Sequence, residues 1–232
     1  MKLEEFVKKI KEAQGANHLS LLLYGSAAGA DFQKDFSDLN VAVVLKELSV
    51  EELSRSAKLV QKWIGSGNPP PLFIDREYIE TSCDVFPLEF LDIQENHRLL
   101  FGENFFVNLK IAPDNLRLEF ESELKSKILS LRQNFLQLYP SKRRIKKMML
   151  ASSSSLFSIF RGFLRLLGEK VPPTKRAILA KLNEKTKFDT AIFDKILDVR
   201  EGKTKIARSE ILPWMEEYLT TLKKMARVAD TL

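Results

Sequence analysis

The chain has 232 residues, of which 44% are hydrophobic and 29% charged, and its formal net charge is +6. That length suffices for one large domain or two modest ones with buried cores, and the composition excludes an intrinsically disordered chain. No apolar run approaches the roughly 18 residues that a membrane-spanning helix needs. The opening MKLEEFVKKIKEA interleaves acids with bases, unlike a secretory signal, and Cys83 stands alone, so no internal disulfide can form. The expectation is a cytoplasmic protein.

Charge is unevenly placed. Residues 1–112 hold 12 Lys and Arg against 17 Asp and Glu, whereas residues 113–232 hold 25 against 14. Acids can hold divalent cations and bases attract phosphates or an acidic partner, although solvated surface explains either excess as well.

Leu3, Phe6, Val7 and Ile10 fall at helical spacing, which predicts a helix over 2–14 ended by Gly15. His18 to Tyr24 is an apolar run of strand length closed by Gly25, and residues 26–30 are small and helix-compatible. A polar loop follows over 31–37. Leu39 to Leu45 is β-branched and apolar, a second buried strand. A helix over 51–64 has Ser49 as its cap, and GSGNPPP at 65–71 is a loop. Leu72–Ile74 and Leu88–Ile93 are two further strand candidates, and 95–101 is read as a short helix stopped at Gly102.

Pro113 marks a change of texture. Leu124, Ile128, Leu131, Phe135 and Leu138 form one helical stripe that ends at Pro140. A long helix over 143–167 presents Leu156, Ile159, Phe160, Phe163 and Leu166, and Gly168, Pro172 and Pro173 stop it. Helices are predicted at 174–184, 189–199 and 209–228. The fold class expected is α+β: a mixed sheet with flanking helices in residues 1–112, then an all-α bundle in residues 113–232.

The segment that carries chemistry is LLLYGSAAGADFQKDFSDLNVAVVL, residues 21–45. Gly25 lets backbone approach a phosphate, Ser26 adds a hydroxyl donor, and free N–H groups at a helix start favour anions. Alternate strand positions share a face, so residues 38 and 40 project side by side. Carboxylates there would hold Mg²⁺, an ion that takes oxygen ligands from protein and from substrate phosphates.

This pattern of strand, Gly25-Ser26, small residues, loop and Ser37-Asp38-Leu39-Asn40 at the mouth of a second strand resembles the polymerase-β-like nucleotidyltransferase superfamily. The likeness covers roughly residues 18–104. The helical half is similar to the bundles of small-substrate and antibiotic nucleotidyltransferases. The resemblance implies metal-dependent transfer of a nucleoside monophosphate from an NTP to an acceptor. Gly25, Ser26, Ser37 and Asn40 would then contact nucleotide, Asp38, Asn40 and Glu89 would hold Mg²⁺, and the catalytic acids would be Asp38, Glu89 and Asp92, whichever of the last two is not on the metal serving as acceptor-side base.

Two departures qualify it. Asn40 stands where the family has its second acid, and it lacks the charge that holds hard cations. The third acid is also undetermined. Leu72–Ile74 contains none, with Asp75 only at its end, while Glu89 and Asp92 would point to opposite faces of a regular strand. Glu89 is favoured over Asp92, which lies nearer the strand's end. These departures support an alternative: a catalytically degenerate relative that binds nucleotide, nucleic acid or a protein partner.

Other residues carry weaker signals. Asp31 and Asp35 are loop acids, and Asp84 suits a turn or cap. His18, His97 and Cys83 are too few for a zinc site, and His97 reads as structural. Lys142-Arg143-Arg144-Ile145-Lys146-Lys147 opens a helix where the dipole disfavours cations, which suits a solvated surface or a polyanion such as nucleic acid. Arg161 and Arg165 sit among phenylalanines on that helix, as arginines paired to acids or phosphate do.

Overall fold

The computed structural model describes residues 1–28, 39–186 and 188–230. The chain divides into two compact units, Met1–Ala112 and Pro113–Leu232.

The first unit is organised by β1 (His18–Tyr24), a run whose central residues are all buried. It pairs antiparallel with β2 (Asn40–Leu45) on one side and antiparallel with β4 (His97–Gly102) on the other. β3 (Leu72–Asp75) runs parallel to β2, giving a mixed sheet in the order β3-β2-β1-β4. Alternation sorts side chains onto two faces. Leu21, Leu23, Val41, Val43 and Leu45 pack against Phe6 and Ile10 of α1 (Leu3–Gln14) and Trp63 of α2 (Val50–Ile64). Leu22, Ala42, Val44 and Ile74 pack against Ile79 of α3 (Arg76–Thr81) and Phe90 and Ile93 of α4 (Pro87–Glu95). Both faces are therefore covered, which is why β1 and β2 read as continuous apolar runs instead of alternating ones.

Local sequence accounts for the helix boundaries. Ser49 accepts a hydrogen bond from the Glu52 N–H and so caps α2. Asp75 accepts from the Tyr78 N–H at 2.7 Å and caps α3. Trp63 is wholly buried, and its indole N–H donates to the Pro69 carbonyl at 2.9 Å, tying α2 to the proline-rich loop.

Two expectations are overturned. The segment predicted as a strand at Leu88–Ile93 is helix α4, and the one predicted as a helix at 95–101 is strand β4. Pro87 occupies the first turn of α4, where its missing N–H costs nothing and its fixed φ suits a helix. A short apolar run fits either period, and the three-residue step from Phe90 to Ile93 is the one that meets the sheet. β4 is an edge strand with Arg98 and Leu99 exposed, so it lacks the alternation that would announce it. The small residues after Gly25 form a 3₁₀ turn, Gly25–Ala27, and positions 29–38 lie outside the described residues.

The second unit consists of α5 (Pro113–Leu138), α6 (Lys142–Leu166), α7 (Lys175–Thr186), α8 (Ala191–Arg200) and α9 (Ile211–Ala229). Its core is aromatic: Phe120 stacks on Phe163 at 5.0 Å, and Phe160, Phe193 and Tyr218 follow edge to face. No described helix is long and apolar enough to cross a membrane.

Gly102 closes β4 at φ +77°, and a Cβ there would lie 1.9 Å from the Leu19 carbonyl oxygen of β1. Backbone cannot yield to such an overlap without breaking the β1–β4 pairing. Gly102→Ala is therefore expected to lower the urea midpoint of the first unit sharply, by about 3 kcal/mol or more.

At the far end of β1, His18 is buried, stacks on Phe101 at 4.7 Å and places Nε2 3.1 Å from the Ser20 carbonyl, while Nδ1 has no partner among the described residues. Burial holds its imidazole below the ordinary 6.5, against the opposing pull of the Ser20 carbonyl. The depressed folded value makes the stabilisation complete above 6.5 and lost as pH falls toward the folded value. Urea midpoints should decline below that pH, and His18→Phe should remove this part of the decline.

Candidate nucleotide-binding site

Register places three strand ends together. Tyr24, the last residue of β1, lies opposite Asn40 at the start of β2 and opposite His97 at the start of β4. Tyr24 and Asn40 alternate in phase with Leu22, Ala42 and Val44, so both belong to the face covered by α4.

Gly25 turns the chain immediately beyond. Its φ of +74° suits glycine, and its N–H donates to the Asn96 carbonyl at 3.0 Å, fastening the turn to the segment that leads into β4. A Cβ on Gly25 would stand 3.1 Å from Asn40 Nδ2. Glycine is thus favoured twice, by conformation and by the close approach of Asn40. Ser26 follows within the 3₁₀ turn.

Glu89 reaches the same place from α4. Lying in the first turn, where the helix dipole favours an acid, it is exposed and accepts a hydrogen bond from the Tyr24 hydroxyl at 2.9 Å. Burial pushes the Tyr24 phenol far above its ordinary range, and the charge of Glu89, its hydrogen bond and the charge of Asp92 push it further. Tyr24 therefore stays a proton donor, and it fixes one Glu89 oxygen while no described residue bonds the other.

Asp92 does not point away from Glu89. The expectation of opposite faces assumed a strand; on a helix a three-residue step keeps both acids on one side. Asp92 is 5% exposed, so it is an interior acid of α4, whereas Glu89 is the one open to solvent. Asp75 sits opposite Leu45, five residues along β2 from Asn40, or about 16 Å away. As a helix cap at the other end of the sheet, it takes no part in this group. The β3 side chains on the α4 face are Leu72 and Ile74, both apolar, so a strand-borne third acid is absent among the described residues. Asp31, Asp35, Ser37 and Asp38 lie outside the described residues.

His97 serves structure. Nδ1 is 2.8 Å from the Ile93 carbonyl, and Nε2 is 2.6 Å from Asn104 Nδ2. The Asn104 amide is oriented by its oxygen, which accepts from the Phe106 N–H at 3.0 Å, so Nδ1 carries the ring proton and Nε2 accepts. Asp84 lies in the turn between α3 and α4. Sequence reasoning missed Tyr24 as the partner of Glu89; its only trace was a tyrosine in phase with Leu22 directly after the aliphatic run Leu21–Leu23.

No three potential metal ligands among His, Cys, Asp and Glu converge among the described residues. Asn40 offers an amide oxygen and Glu89 a second carboxylate oxygen, a donor set suited to a hard cation but incomplete without a further acid.

A mixed four-stranded sheet flanked by helices, followed by a helical C-terminal part, defines an α+β nucleotidyltransferase-like fold. Among solved structures the chain is similar to spectinomycin adenyltransferase from Enterococcus faecialis, solved with ATP and spectinomycin, at 13% identity and a TM-score of 0.59. That match covers 96% of this chain and 100% of the adenyltransferase. No family model matches the sequence, and no curated protein does.

Gly25→Ala should cost about 1–3 kcal/mol in urea unfolding, the strain of a positive φ added to the crowding of Asn40. Adding Asn40→Ala should recover only the crowding part. A double-mutant cycle giving full recovery would show that φ contributes nothing.

Proposed function

We propose that the first unit binds a nucleoside triphosphate at the Gly25–Asn40 end of the sheet and transfers its nucleoside monophosphate to an acceptor hydroxyl. The observation that carries this reading is the convergence of Gly25, Asn40 and the Tyr24-held Glu89 at adjacent strand ends on one face. The presence of ATP in the similar adenyltransferase supports a triphosphate as the ligand class.

In this reading the Gly25 turn lets the triphosphate approach the backbone, with the hydroxyls of Ser26 and Ser37 donating to its oxygens. Asp38, Asn40 and Glu89 would hold Mg²⁺, which when bound screens the phosphate charge and favours pyrophosphate departure. Glu89 accepts the acceptor hydroxyl proton; the new bond forms between that oxygen and the α-phosphorus as the bond to the bridging oxygen breaks. Tyr24 keeps the Glu89 carboxylate aimed and is a positioning residue. Asp92 lies buried one turn further along α4 and is not open to the acceptor.

A second reading has its own support. Asn40 in place of an acid, and apolar Leu72 and Ile74 where β3 meets the same face, favour a site that binds nucleotide without turning it over. Incubation with Mg²⁺ and radiolabelled NTPs separates the two. Transfer is expected to release pyrophosphate, with Asp38→Ala lowering the rate at least about 100-fold and Glu89→Gln lowering kcat more than KM. If the native chain releases none while Asn40→Asp gains at least about tenfold in Mg²⁺-NTP affinity by calorimetry, the binding-only reading replaces transfer.

A further inference from the structure

Between Leu124 and Gly168 the chain contains no Asp or Glu in 45 residues, yet carries ten Lys and Arg. This stretch is the second half of α5 and all of α6. The two helices run antiparallel side by side, since Lys127 donates to Ser155 at 2.7 Å and Phe120 stacks on Phe163. Their connecting turn at 139–141 is tight, with the Ser141 N–H bonded to the Leu138 carbonyl at 2.9 Å.

Five of the ten bases crowd the tip of this hairpin. Arg143, Arg144 and Lys147 are exposed and Lys142 and Lys146 half-buried, while Ile145 and Met149 take the inward face. Among the described residues none of the five side chains has a hydrogen bond or an ion pair. Several bases elsewhere in the unit are matched: Arg176 meets Asp194, Asp198 and Glu201, Lys185 meets Glu169, and Lys125 meets Glu121 and Asp230. The tip is also the N-terminus of α6, whose first turn holds no acid and whose dipole adds to the positive potential. An unoffset concentration of like charge is unfavourable, and an external anion relieves it.

The surroundings favour a nucleic-acid strand over other polyanions. Tyr139 is 59% exposed on the turn beside the bases, its ring set against Phe135 at 5.8 Å, and offers a flat surface to a base. The bases from 142 to 147 extend about 7.5 Å along the helix, and their long side chains fan out around it, so they can meet more than one phosphate of a strand. A membrane would require a continuous apolar face; that of α6 is consumed by the core at Ile145 and Met149, and the exposed Leu129 and Leu136 of α5 are separated by the exposed, polar Arg132 and Gln133. We propose that the α5–α6 tip binds single-stranded nucleic acid without sequence preference, through phosphate contacts from Arg143, Arg144 and Lys147 and stacking on Tyr139.

Fluorescence anisotropy with labelled RNA and DNA single strands of about 20 nucleotides tests this in the full chain, at KCl from about 50 to 200 mM. The expected slope of log affinity on log salt lies between about −2 and −4, corresponding to three to five phosphates. Arg143→Ala, Arg144→Ala and Lys147→Ala together should weaken binding at least about tenfold with an unchanged circular-dichroism melt, and Tyr139→Ala about fivefold or more with an unchanged salt slope. Lys223→Ala with Lys224→Ala, on α9, should change affinity less than about twofold. The proposal is overturned if neither strand binds at the lowest salt, if the α9 pair weakens binding as much as the tip triple does, or if the tip residues govern only retention on phosphatidylcholine–phosphatidylserine vesicles.

Discussion

The hydrogen-bonding of β1 along both edges is the constraint from which the rest of the first unit follows. A strand held on two sides has no freedom to slip, because a one-residue shift would exchange its two buried faces. Tyr24 must then end opposite Asn40 and His97, and the turn at Gly25 must begin where those strands meet. Asn96 contributes its carbonyl to that turn and His97 locks to Asn104, so the approach to β4 is tied to the same corner. The candidate site is a by-product of sheet register, and its rigidity comes from residues that need touch no ligand.

What the sequence made legible divides along a physical line. Strands buried on both faces, such as Leu21–Tyr24 and Val41–Leu45, and helices with a full apolar stripe, such as Phe120–Leu131, declare their period through many residues. Leu88–Ile93 does not: six residues are too few to separate a period of two from one of 3.6, and Pro87 is the only local arbiter. β4 earns its strand conformation from β1 alone, a tertiary cause invisible in HRLLFG. The exchange of these two elements moved Glu89 and Asp92 from a sheet to a helix. On the helix they stand three residues apart, Glu89 exposed and Asp92 buried, a relation that a strand period in PLEFLDI does not give. The Gly25 turn was legible because glycine marks backbone that other residues avoid; the Tyr24–Glu89 bond spans 65 positions and leaves no local mark.

The two units handle charge differently. In the helical unit, acids and bases on α7 and α8 gather into a network around Arg176, while the stretch from Leu124 to Gly168, which includes the α5–α6 tip, has no acid of its own. Surface ion pairs contribute little stability individually, so the network is better understood as sorting than as fastening. The hairpin is held instead by stacked rings beneath it, which frees its outer face from any duty in folding.

A carboxylate carried by α4 has a different evolutionary latitude from one carried by a strand. The segment between α3 and α4 is a short turn at 82–86, outside the sheet. A residue gained or lost there is taken up by the turn, because Phe90 and Ile93 hold the buried face of α4 on the sheet, and Glu89 keeps its place beside Tyr24. The acid at 89 can therefore come and go by substitution alone, since its side chain is exposed and the core contacts of α4 belong to its neighbours.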